Sequence, residues 1–202
     1  MPSQLVAAAS ADFGSDAEGT ASATAARLLE QRIQDLCSRL AANSCRITYV
    51  NLHGADMSSA SCAALGGALS RNRSVTSLDI SSSGFDSRAM IGLFSALETN
   101  TTLTRLNAAD NGFDSAGIQA LARMLRSNRV LAHLDLSSRL CDASADEEAT
   151  AALGSALVAR GSEMHLTLTR DSFPGWEYEG GTALHAAAAA LGGDRLRLAW
   201  VD

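Results

Sequence analysis

The tetrapeptide "GFDS" stands at residues 84–87 and again at 112–115, 28 residues later. Its flanks repeat as well: "RAMIGLFSALETNTTL" follows the first copy and "AGIQALARMLRSNRVL" the second, with apolar residues, a closing Asn and a following Leu at matching places. Four strand-like segments, "ITYVNL", "VTSLDI", "LTRLNA" and "LAHLDL", begin at positions 47, 75, 103 and 131, each 28 residues after the last. A repeat of this length is one supersecondary unit. Alone it cannot cover its own apolar face, so neighbouring units must stack into an array.

Within each unit, two apolar positions separated by one polar residue put both side chains on one face of a short strand. A turn follows, where Met57, Phe85, Phe113 and Cys141 form a column of core plugs. Asp86, Asp114 and Asp142 come next, placed to accept hydrogen bonds from the free amides of a first helical turn. The helices then bury Cys62, Met90 and Ile118, the trio Leu65, Leu93 and Leu121, and the trio Leu69, Leu97 and Leu125. Asn72, Asn100 and Asn128 close them, in a position where Asn tolerates left-handed backbone. Parallel strands need a long crossover between them, and turn plus helix provides it.

The array has two distinct ends. Residues 1–23 are small, polar and acidic, rich in Ala and Ser, and read as a flexible tail. Residues 24–202 read as a single domain. It opens with a helix over 24–43, whose apolar face is Leu29, Ile33, Leu36, Cys37 and Leu40. Repeats of about 28 residues occupy 44–163, with four extra residues near 143–146 in the last of them. A divergent unit, 164–202, holds the strand "HLTLT", a long loop, an Ala-rich helix over 182–191 and a last strand "RLRLAWV". The helix and the divergent unit are expected to cover the two ends of the stack.

Repeat architecture matches a frugal composition: aromatic residues are only 4% of the 202, so large side chains must sit at a few recurring positions. Net charge is −6 and the pI about 5.2, which argues against a surface that tracks nucleic-acid phosphates. No apolar run reaches the length of a membrane span, and neither a secretory signal nor an Arg-rich presequence is visible. The four cysteines show no metal-ligand spacing and fit a reducing, cytoplasmic compartment. The sequons at 72–74 and 100–102 fall on the helix-closing column and are discounted.

The stretch "LTRLNAADNGFDSAGIQALARMLRSN" (103–128) resembles the leucine-rich repeat superfamily, in the spacing of its ribonuclease-inhibitor-like class. Leu103, Leu106, Ala108, Asn111, Phe113, Gly117, Leu121, Leu125 and Asn128 occupy the motif positions, and the resemblance runs over roughly residues 40–170. Only Asn111 keeps the motif's turn Asn; Ala55, Ser83 and Arg139 replace it in the other units. The resemblance implies an α/β solenoid: a right-handed βα superhelix with an inner parallel sheet and outer helices. It also implies a protein-binding role. Two narrower groups share it, the actin pointed-end cappers of the tropomodulin type and the GTPase activators of the Ran type. The second would use an Arg such as Arg105.

On the strand face turned from the core the units present Tyr49, Asn51 and His53, then Ser77, Asp79 and Ser81, then Arg105 and Asn107, then His133 and Asp135. The column Asn51, Asp79, Asn107, Asp135 alternates amide and carboxylate. It reads either as a recognition strip or as neighbours satisfying one another across strands. Asp79 and Asp135 are two strands apart, about 9–10 Å, too far to share a metal. His133 and His165 could begin a metal site or a pH switch, yet no third ligand is apparent, and an idle exposed pair is the plainer reading. Phe173, Trp176 and Tyr178 gather in the long loop, as anchors for a partner or as a cover for the solenoid end. Catalytic motifs and phosphate-cradling glycine loops are missing from the sequence. The expectation is therefore a non-catalytic protein-interaction module without cofactor or metal, a structural or adaptor subunit of a larger assembly in the cytoplasm, with the cytoskeleton as the alternative setting.

Overall fold

Strands and helices alternate along this protein, and each helix returns the chain to the next strand one row over. The structure, a computed structural model, describes residues 3–6, 18–43, 46–112, 114–137, 147–169, 180–191 and 195–201. The strands are β1 (Ser3–Val6), β2 (Ile47–Asn51), β3 (Ser77–Asp79), β4 (Arg105–Asn107), β5 (His133–Asp135), β6 (Met164–Thr169) and β7 (Leu196–Val201). The helices are α1 (Glu18–Ala41), α2 (Ser59–Arg71), α3 (Ser87–Leu97), α4 (Ser115–Ser127), α5 (Glu147–Arg160) and α6 (Gly180–Leu191). The sheet is all parallel, and its strands lie in chain order from β1 to β7. Each helix packs on the next, so the molecule is a solenoid of two layers with the core between sheet and helices.

The core is the set of columns that the period dictates. Leu65, Leu93 and Leu121 are buried, as are Leu69, Leu97 and Leu125, and Cys62, Met90 and Ile118. From the strands Leu78, Leu106, Leu134 and Leu166 meet them. Met57 and Phe85 plug the turns, whereas Phe113 and Cys141 lie outside the described residues.

The caps also follow the sequence. Asp86 accepts from the Ala89 amide at 2.7 Å and Asp114 from the Gly117 amide at 3.0 Å, each with extended backbone. The position of Asp142 falls among residues not described. Gly84 is left-handed at φ 76°, where a side chain would be strained. Gly112 is not left-handed. Its amide donates to the Phe85 carbonyl at 2.8 Å, so the repeated "GFDS" uses its glycine in two different ways.

The helix-closing asparagines differ from the sequence reading. Asn72 and Asn128 have φ of −71° and −77°, extended rather than left-handed, and their buried side chains do the closing. Each Nδ2 donates to a carbonyl of the preceding helix: Asn72 to Leu40, Asn100 to Leu69 and Asn128 to Leu97, at 2.7–2.9 Å. Each Oδ1 accepts from the amides two and three residues on, which turns the chain into the next strand. Thus a ladder of three asparagines stitches the repeats together. The turn Asn ladder is partial, as its single Asn implies. Asn111 bonds the Ile80 carbonyl, and one unit earlier the shorter Ser83 makes the equivalent bond to the Leu52 carbonyl.

Two features depart from the reading of residues 1–23 as a flexible tail. Ser3–Val6 form β1 beside β2, and α1 begins at Glu18, ahead of residue 24. Parallel pairing satisfies main-chain groups on the β2 edge whatever the side chains, so composition does not announce it. Small Ala-rich residues cost little to add to a helix that is already nucleated.

Candidate functional site

Strand register fixes what the open face of the sheet displays. One row reads Tyr49, Ser77, Arg105, His133, His165 and Arg197, each directly opposite the next across β2 to β7. A second row, two residues along, reads Asn51, Asp79, Asn107, Asp135 and Thr167. Leucines between the rows point into the core, so the polar side chains stand on the side away from the helices. They edge a shallow hollow of about 380 Å³, lined by Tyr49, Asp79, Arg105, His133, Asp135 and His165 among others.

The second row is tied down locally. Asn51, Asp79, Asn107 and Asp135 each accept, through Oδ1, the amide of the residue two positions on, at 2.9–3.1 Å. Ser81 and Ser137 add hydroxyl donation to Asp79 and Asp135. Across strands Asn107 Nδ2 reaches Asp79 Oδ2 at 3.3 Å. These side chains close the turn that follows their own strands, and Asn107 also ties to the neighbouring strand. His53 stands at the end of β2, exposed, with Nδ1 2.8 Å from the Ser81 hydroxyl.

The first row is less committed. Arg105, His165 and Arg197 are exposed, Tyr49 and His133 half-buried. The rings of His133 and His165 lie 4.8 Å apart at 33°. Burial, then the neighbouring His165, then Arg105 pull the His133 pKa below the ordinary histidine value. His165 and Arg197 continue the row at a spacing of 32 residues from His133 and from each other, a shift that a search for 28 passes over. That spacing is the signal by which Arg197 and Thr167 could have been found in the sequence. Phe173, Trp176 and Tyr178 lie outside the described residues.

Among the described residues no group of three or more His, Cys, Asp or Glu could hold a metal ion. The thiols of Cys37 and Cys62 are buried, and burial pushes both up to about 11, so they are held protonated at neutral pH. No helix of the described residues is long and apolar enough to cross a membrane.

A family model described as Leucine Rich repeat matches residues 99–122, from just after α3, across β4 and into α4. No curated protein matches the chain. Among solved structures, leiomodin-1 actin-binding site 2 is similar over 77% of this chain and 86% of that one, with TM-score 0.63 and 18% identity. The tropomodulin C-terminal domain of Caenorhabditis elegans is similar over 79% of this chain and 92% of that one, with TM-score 0.65 and 15% identity. Its period, its strand order and these likenesses together show a leucine-rich-repeat fold.

Proposed function

We propose that this chain is a non-catalytic protein-interaction module, a structural or adaptor subunit of a larger assembly, which binds its partner on the open face of the sheet. The observation that carries the reading is the pair of register-matched polar rows on that face. A core-backed sheet holds such rows at strand spacings of about 4.8 Å, so a partner meets them with little ordering cost. Tyr49 at one side offers a rigid aromatic anchor of the kind that concentrates binding energy. The test is a pull-down from the native cell with wild type, Tyr49→Ala, and Arg123→Glu on the exposed side of α4. Loss of the recovered partner with Tyr49→Ala alone, at unchanged melting temperature, supports the reading; loss with Arg123→Glu alone places binding on the helices and sinks it.

The likeness to leiomodin-1 actin-binding site 2 favours a second reading, in which the partner is actin and the protein sits on the cytoskeleton. Co-sedimentation with actin filaments and pointed-end elongation assays decide it. A protein that stays in the supernatant and leaves elongation unchanged removes this reading and leaves the first intact.

A further inference from the structure

The molecule is acidic as a whole, with net charge −6, yet one row on its open face is cationic. Arg105, His133, His165 and Arg197 stand in register on four successive strands, β4 to β7. They span about 14 Å at strand spacing, and no carboxylate interrupts them. In the adjacent row Asp79 and Asp135 already accept from the amides and hydroxyls of Ser81 and Ser137. We infer that the row Arg105, His133, His165, Arg197 binds an acidic polypeptide segment of the partner, and that docking brings protons onto the two histidines. This rests on the open face being the binding face.

Charge complementarity selects the occupant. A carboxylate laid over the His pair turns two rings that repel when protonated into two that are favoured when protonated. The groups that face the pair are Arg105 on β4, Asp135 on β5 beside His133 and Arg197 on β7, with Asp79 and Tyr49 farther along on β3 and β2. Without a ligand, burial, the second ring and Arg105 hold the His133 pKa below the ordinary histidine value. A continuous polyphosphate fits less well. It would lie within about 7 Å of Asp79 and Asp135, one strand step of two residues away. A polypeptide can set amide or basic donors against those same carboxylates while its acidic side chains meet the row.

The experiment uses the full chain and a fluorescein-labelled decaglutamate peptide, followed by anisotropy. Glutamate, with a pKa of about 4.3, stays ionised throughout the pH range used. Binding should be about tenfold tighter at about pH 6 than at about pH 7.5, as expected when one or two protons are taken up. The double variant His133→Gln/His165→Gln should bind equally at both pH values. Arg105→Glu and, separately, Arg197→Glu should each weaken binding at least tenfold with melting unchanged. Absence of decaglutamate binding at about pH 6, or a pH response that persists in the double variant, overturns the inference. So does tighter binding of single-stranded oligothymidylate than of decaglutamate. If a native partner is still lost with Tyr49→Ala while decaglutamate fails to bind, only the inference falls; a partner indifferent to Tyr49 removes the face itself.

Discussion

Single side chains carry most of the stitching between units. Asn100 satisfies the Leu69 carbonyl and the amides of Thr102 and Leu103 from a buried position. Asn100→Ala strands these groups, and a loss of about 2–4 kcal/mol is expected in urea unfolding. A loss below about 0.5 kcal/mol would mean that water replaces the amide. Arg160 takes the next place after Asn128, 32 residues on, and its guanidinium bonds the carbonyls of Asn128 and Leu131. Burial there pulls its pKa down to about 10. Cys37 and Cys62 give a chemical readout: moving a thiol from 9.0 to about 11 cuts its thiolate near pH 8 roughly a hundredfold. Alkylation of these two should be slow in the native protein and fast in urea, as mass spectrometry of the digested chain would record. His133 gives a pH readout. Since its pKa in the folded chain lies below the ordinary 6.5, the unfolded chain takes up that proton first. The stability it contributes is present above about pH 6.5 and declines as pH falls through the lowered value. His133→Gln should flatten that decline; an unchanged pH profile would assign it to other groups.

At the scale of one element, α4 shows what can be read in advance. Its apolar positions Ile118, Leu121 and Leu125 are spaced for one face, and all three are buried. Leu121→Ala should cost about 2–5 kcal/mol, measured by chemical denaturation, because it empties a packed site. Its cap is equally local. Asp114 receives the Gly117 amide and the Ser87 hydroxyl, and the Ser87 bond is the main reason its carboxyl is held below the usual range. Such features are legible because their partners lie within four residues or one period. The job of Asn72, Asn100 and Asn128 was not, since it depends on carbonyls 31 or 32 residues upstream that only stacking brings near. β1 was not legible either, because parallel pairing draws on main-chain groups that any sequence carries. On the open face, Tyr49, Asp79, Arg105, Asn107, His133 and Asp135 could be aligned from the 28-residue period. Arg197 could not, because the period lengthens to 32 where the last units begin.

At the scale of the whole molecule, the described strands and helices pack chiefly on their neighbours in the stack, so stability is close to a sum of units and junctions. Deleting residues 1–8 removes β1 and bares the edge of β2, and the melting temperature should fall by a few degrees. A shift too small to detect would mean that the β1 row adds no stability of its own. The three-Asn ladder has a mechanical side too. Its bonds cross the junctions between α1 and α2, α2 and α3, and α3 and α4, so tension applied at the chain ends loads them one after another rather than together. Peeling one 28-residue unit frees about 90–100 Å of extended chain. Stretched in an optical trap, the protein should lengthen in steps of that size, as a series of small clasps opening in turn, and the array would yield to pulling by graded extension instead of one abrupt rupture.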